Sequence, residues 1–215
     1  LAVAREFAAR DWDVLATCRS PAAATALQKV AAATPSVTVA PLDVADPSSI
    51  AAAAAALDRP IDVLFNNAGI GARHLDFGTM DYETWQALME TNLYGPMRMA
   101  AAFRDHVASS GQKKIMAVSS SLGSIARSRG GNYAYATSKA ALNMAMRSLA
   151  VDLKPHGIIV GILSPGFVDT DFTAGTRMPK IAPEVSAAGL VDMCARFDLD
   201  MSGRFLRYNG QELDW

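Results

Sequence analysis

Tyr135 and Lys139 stand four residues apart, a spacing that puts both on one face of a helix. The segment around them, VSSSLGSIARSRGGNYAYATSK from Val118 to Lys139, adds a hydroxyl cluster and a Gly-Gly turn. A free tyrosine titrates near ~10 and exchanges protons poorly at neutral pH. An ammonium held beside it favours the phenolate. Bringing the phenol to about 7 takes about 4 kcal/mol of differential stabilisation, which a lysine together with a bound cationic ring can supply. A serine hydroxyl across the gap would hold a substrate oxygen while the tyrosine moves the proton.

Tyr-x-x-x-Lys alone is a common helical spacing, and its meaning here comes from its company. Asn66-Asn67-Ala68-Gly69 follows one apolar run, Asn92 lies in ETNLYG, and Pro165-Gly166-Phe167-Val168-Asp169-Thr170 follows another apolar run. Together and in this order these motifs resemble the short-chain dehydrogenase/reductase family over essentially the whole chain. SLGSIARSRGGNYAYATSKAALNM is most similar to the C-factor and sniffer-type carbonyl reductase branch. The resemblance implies an α/β fold: a Rossmann-type doubly wound parallel sheet in three layers, as one domain over 1–215. It implies an oxidoreductase that moves a hydride between a nicotinamide and a carbonyl or alcohol carbon of a small molecule. A non-catalytic dinucleotide-sensing or signalling protein on the same scaffold is the alternative, because a fold does not fix its function. An inactive fragment is a third.

The resemblance also assigns roles. Family members place a glycine three residues after the catalytic serine, so Gly123 selects Ser120 over Ser119 and Ser121. Ser120 then orients the carbonyl oxygen, Tyr135 gives the proton, and Lys139 lowers the tyrosine pKa and holds the nicotinamide ribose. Asn92 marks a helix kink and supports a proton relay through water. Tyr133, six residues before Lys139, falls on another face and lines the substrate pocket. Asn67, Ala68 and Gly69 face the adenosine ribose, with Asn66 structural, and Asp43 and Val44 lie under the adenine. Pro165 and Gly166 turn the chain past the nicotinamide, where the backbone of Val168 and the hydroxyl of Thr170 hold the carboxamide. Cys18 stands where family members using NAD have Asp, and Arg19 follows it; an arginine there suits a 2′-phosphate. NADP, as NADPH, is therefore the expected cofactor over NAD, with a solvated surface arginine as the alternative reading.

The elements that must position these residues are legible in outline. Asp13–Thr17, Val37–Ala40, Ile61–Phe65, Lys114–Ser119, Ile158–Leu163 and Arg204–Tyr208 read as short strands, with Ile61–Phe65 and Ile158–Leu163 covered on both faces and Arg204–Tyr208 near the sheet edge. Ser20-Pro21 and Asp46-Pro47 read as helix caps with proline at the first helical position. A helical pattern runs from Tyr82 to Val107, interrupted at Gly95-Pro96. Another starts at Tyr135, and a last helix begins at Pro183. Residues 171 to 182 form a substrate-side loop. The Tyr135 helix is apolar or small over much of its surface, so the family precedent of a homodimer or homotetramer stands beside burial within one subunit.

The chain opens at Leu1 inside an amphipathic helix pattern. In the family a first strand and a glycine-rich turn come just before such a helix, and they cradle the pyrophosphate. The chain therefore reads as N-terminally incomplete, with both neighbours of a central strand left unpaired. A formal net charge of −1 with no basic stripe gives nucleic-acid binding no electrostatic support. Apolar stretches are broken before membrane-spanning length. Cys18 and Cys194 form no motif, and a reduced cytoplasmic protein is expected. His74, His106 and His156 lack metal-ligand spacing, so no metal is expected.

Overall fold

The computed structural model describes residues 1–71 and 77–215. Among the described residues six strands form two parallel sheets, each strand joined to the next through helical segments, as parallel pairing requires. They are β1 (Val14–Cys18), β2 (Val37–Pro41), β3 (Val63–Asn66), β4 (Lys114–Val118), β5 (Ile159–Ser164) and β6 (Phe205–Arg207). Helices α1 (Ala2–Ala8), α2 (Thr25–Ala33) and α3 (Pro47–Ala56) accompany the first two strands. Then come α4 (Tyr82–Met89), α5 (Gly95–Ala102), α6 (Arg104–Ala108), α7 (Tyr133–Leu153) and α8 (Pro183–Arg196).

Alternate side chains of the strands enter two separate cores. Leu64, Ile115, Ala117, Val160, Ile162 and Phe205 face Leu142 and Met146 of α7 and Met99 of α5. Met116, Ile159, Leu163 and Leu206 face Phe7 of α1 and Leu190 and Val191 of α8. Apolar residues at odd and even positions are both buried, and this is why these strands read as continuous apolar runs. The layered parallel architecture expected from the sequence is what folds.

The sheet is in two parts. β1 pairs with β2, and β3, β4, β5 and β6 pair in that order, but β1 and β3 are not bonded to each other. A slot separates them. Leu15 and Thr17 of β1, Phe65 and Asn66 of β3, and Leu1 and Phe7 line it, while Val44, Asn67 and Ala68 border it.

Local chemistry explains most boundaries. Asp46 accepts from the Ser48 amide at 2.9 Å with Pro47 next, as expected of a cap. Asp81 caps α4 through Glu83 and Thr84. Ser20 behaves differently: Pro21 opens a 3₁₀ turn over Pro21–Ala23, the Ser20 side chain caps nothing, and α2 begins only at Thr25. The long helix is also cut differently from its pattern. Before Gly95 the chain widens into a π-type turn over Glu90–Tyr94, and a second break at Phe103 separates α5 from α6. The close approach of Gly95 to Val44 sets that position. A methyl group on Gly95 would lie 3.1 Å from the Val44 side chain. Among the described residues no helix is long and apolar enough to cross a membrane.

Candidate active site

The C-terminal ends of β3, β4 and β5 converge on the first turns of α7, and parallel α/β sheets bind ligands at this edge. β4 ends at Val118, and the three serines that follow separate at once. The Ser119 hydroxyl turns inward to Asn143 of α7 at 2.5 Å. Ser121 enters a 3₁₀ turn that Ser120 caps, its oxygen accepting from the Leu122 amide at 3.2 Å. Ser120 alone makes a side-chain hydrogen bond with the Tyr135 phenol. Gly123 enforces this choice. A methyl group there would lie 2.8 Å from the Lys139 carbonyl carbon, so only glycine lets the turn rest on α7. The Gly-Gly turn serves the other side: Gly130, Gly131 and Asn132 all take positive φ just before Tyr133 opens α7.

Lys139 is 4% exposed, and its ammonium donates to the Val118 carbonyl at 2.9 Å. It sits 5.9 Å from the Tyr135 ring centroid. Burial lowers its pKa from 10.5 to about 8, which leaves it charged at neutral pH. Burial, the larger cause, raises the Tyr135 phenol above its ordinary value, and the hydrogen bond from Ser120 opposes this only in part. The Lys139 ammonium itself addresses a backbone carbonyl and the ring face.

Asn92 is fully buried at the π-type turn. Its Oδ1 accepts from the Ile70 amide at 2.9 Å, and its Nδ2 donates to the Ile70 carbonyl at 2.9 Å and to Ser138 Oγ at 3.0 Å. Ser138 Oγ donates in turn to the Tyr135 carbonyl at 2.8 Å. Asn92 therefore ties the loop after β3 to the helix that carries Tyr135.

The residues expected to meet a dinucleotide lie along the same edge. Asn66 is structural, its Nδ2 donating to the Met116 carbonyl at 3.3 Å, while Asn67, Ala68 and Gly69 are exposed. A methyl group on Gly69 would lie 3.3 Å from Asn92 Oδ1 and 3.5 Å from Lys139 Nζ, so its absence keeps the approach to the ammonium open. The Asp43 carboxylate accepts from the Ala45 amide at 2.9 Å, which folds the turn that presents Val44 to the slot. Arg19 is exposed just past β1 and makes no hydrogen bond or ion pair among the described residues. After β5, the Pro165 carbonyl accepts from Ser186, and Gly166 takes φ +81 where a side chain would strike Tyr208. The Val168 carbonyl accepts from the Thr173 hydroxyl at 2.6 Å, and the Thr173 hydroxyl oxygen accepts from the Thr170 amide at 3.2 Å. These residues fit a nicotinamide dinucleotide: an exposed small-residue edge, an unpaired cation at one end, and a buried ammonium with further N–H groups to give at the other.

Tyr133 leans on Phe77 with ring centroids 6.1 Å apart, away from the Ser120 bond. His106 Nε2 meets the Leu57 carbonyl and His156 lies on a surface turn, while His74 falls outside the described residues. Sequence reasoning missed Ile70, Ser138, Asn143 and Phe172. Ser138 alone carried a signal, as a hydroxyl within the Tyr-x-x-x-Lys span.

Comparison with known proteins follows the same lines. The family model described as enoyl-(acyl carrier protein) reductase matches residues 1–194. The chain is 38% identical over 157 residues to the C-signal of Myxococcus xanthus, covering 73% of this chain and 93% of that protein. An NADPH-bound carbonyl reductase from chicken fatty liver superposes with a TM-score of 0.90 at 31% identity, covering 99% of this chain and 94% of that one. The carbonyl reductase Sniffer of D. melanogaster gives a TM-score of 0.90 at 28% identity over 100% of this chain and 94% of that one. Motifs, parallel layered fold and relatives agree, and the chain belongs to the short-chain dehydrogenase/reductase family.

Proposed function

We propose that this protein is an NADP-dependent oxidoreductase that interconverts a small-molecule carbonyl and its alcohol through Ser120, Tyr135 and Lys139, with Asn92 as a positioning residue. The observation that carries the reading is the meeting of Ser120 and Tyr135 above a buried ammonium at the binding edge of the sheet. Bound NADPH supplies the hydride that forms the new C–H bond. Ser120 holds the carbonyl oxygen by a hydrogen bond, and the Tyr135 hydroxyl gives that oxygen its proton. The Lys139 ammonium stabilises the phenolate left behind and offers its remaining N–H groups to the ribose. Asn67, Ala68, Gly69, Asp43 and Val44 border the adenosine, while Pro165, Gly166, Val168 and Thr170 flank the nicotinamide.

The slot between β1 and β3 fits this reading. Two strand edges face each other across apolar side chains, and the slot is bordered by Val44, Asn67 and Ala68, three of the residues proposed to meet the adenosine. Met144 and Val151 are exposed seven residues apart on α7 and support a homodimer or homotetramer.

Following NADPH absorbance against a panel of ketones and aldehydes, beside an NADPH fluorescence titration, tests the proposal. Turnover supports the enzyme. Tight binding without turnover of any carbonyl supports the dinucleotide-sensing alternative. The cofactor choice has its own expected outcome. Arg19→Asp removes the cation suited to a 2′-phosphate, and the NADP/NAD ratio of kcat/KM should fall by about tenfold or more. An unchanged ratio would show that Arg19 does not read the phosphate.

A further inference from the structure

Two phenylalanines stand at the mouth of the site where a soluble surface would rather have polar groups. Phe172 is 55% exposed and Phe77 is 79% exposed. Each leans on a tyrosine in the first turn of α7: Phe77 on Tyr133, and Phe172 on Tyr135 with centroids 5.4 Å apart and planes at 55°. They arrive from different segments, one following β3 and the other following β5. Scattered exposed apolar residues need no explanation, but two exposed aromatic rings set against two tyrosines of one helical turn are a concentrated feature.

Phe172 is held in place. Its loop is stapled at the base, where the Asp169 amide donates to the Ile181 carbonyl at 2.9 Å and the Ile181 amide to the Phe167 carbonyl at 2.9 Å. Lys180 pairs with Asp169 at 2.9 Å, so the loop's base carries no free charge toward the cleft. Within the loop, Thr173 ties the short turn that bears Phe172 to Val168. The ring is then wedged between Tyr135 and the backbone of Gly71. A methyl group on Gly71 would lie 2.5 Å from Phe172 Cζ and 2.6 Å from Cε2, so the ring lies directly on that glycine. Asp171 and Arg177 on the same loop are exposed.

Resting on the oxidoreductase reading above, we propose that Phe172 is a specificity-determining residue that selects flat, apolar ketones, with an aryl ketone as the favoured class. A carbonyl oxygen that reaches both Ser120 and Tyr135 places its substituent beside the Phe172 ring. That ring still has half its surface to cover. A flat apolar group gains both area burial and ring contact there, whereas a small or hydrated substituent gains neither. Phe77, leaning on the neighbouring tyrosine, supplies a second apolar wall.

The test compares acetophenone with butanone, using the intact protein and NADPH. Wild type should prefer acetophenone in kcat/KM. Phe172→Ala should lower kcat/KM for acetophenone by about tenfold, mainly through KM, and change butanone by less than about twofold. Phe172→Tyr, which keeps the ring, should restore the preference. Gly71→Ala leaves the ring present but pushes it off its seat, and should reproduce the Phe172→Ala pattern. Equal effects on both ketones, or none on either, would overturn the proposal. Saturation-transfer NMR of acetophenone separates this from failure of the oxidoreductase reading. If wild type reduces neither ketone yet binds acetophenone, and Phe172→Ala loses that binding, the ring contact stands and the activity falls. Binding unchanged in Phe172→Ala removes the ring contact whatever the turnover shows.

Discussion

Tyr135→Phe is expected to lower kcat for carbonyl reduction by about 10³-fold, within the range a positioned general acid supplies. The substitution removes one hydroxyl, the one bonded to Ser120, and keeps the ring that packs on Phe172. NADPH affinity and thermal stability should stay close to wild type, because the lost bond is worth about 1 kcal/mol and its loss lets a buried polar atom go. Steady-state rates, fluorescence titration and a melting curve check the three parts together. Near wild-type turnover would remove Tyr135 from the chemistry.

Lys139→Met should abolish turnover and at the same time make the protein more stable at neutral pH. The buried ammonium titrates near 8 in the fold and near 10.5 in the unfolded chain. Between these values the unfolded state holds more protons, so this group's contribution to stability rises with pH. Below 8 the folded state carries the full desolvation penalty, on the order of 3 kcal/mol. Methionine is of similar length and removes that penalty, at the cost of about 1 kcal/mol for the bond lost at the Val118 carbonyl. The variant should thus gain about 1–2 kcal/mol at pH 7, and its advantage should shrink as pH climbs from 8 towards 10.5. Urea unfolding of both proteins at pH 7 and pH 9.5 reads this directly. A variant less stable than wild type at pH 7 would mean that Lys139 is held by structure rather than retained for chemistry.

The residues that such a family site needs were legible because their spacing along the chain is itself a geometric constraint. Tyr135 and Lys139 share a helix face, and Gly123 identified Ser120 for a reason the fold makes plain: a side chain at 123 would lift the serine turn off α7. Strand positions were legible from apolar runs, since both faces of each central strand are covered. What sequence could not give was long-range. Asn92 finds its partners 22 and 46 residues away, at Ile70 and Ser138, and no local pattern announces them. Asn92 lies within the π-type turn at Glu90–Tyr94, which its local sequence does not announce either. The direction of the Tyr135 shift depends on how much of the phenol the fold covers. Ser20-Pro21 shows the opposite limit, since a good local cap signal lost to a 3₁₀ turn.

The central physical claim is that the buried phenol of Tyr135 becomes a usable acid only when a positive charge joins Lys139 in the cleft. Ultraviolet titration of the phenolate measures this, taking the difference between wild type and Tyr135→Phe with and without saturating NADP⁺. The protein alone should show a Tyr135 titration above the ordinary tyrosine value, and NADP⁺ should pull it down by two or more pH units, roughly the effect of a close opposite charge. A titration that stays in place when NADP⁺ binds would contradict the account.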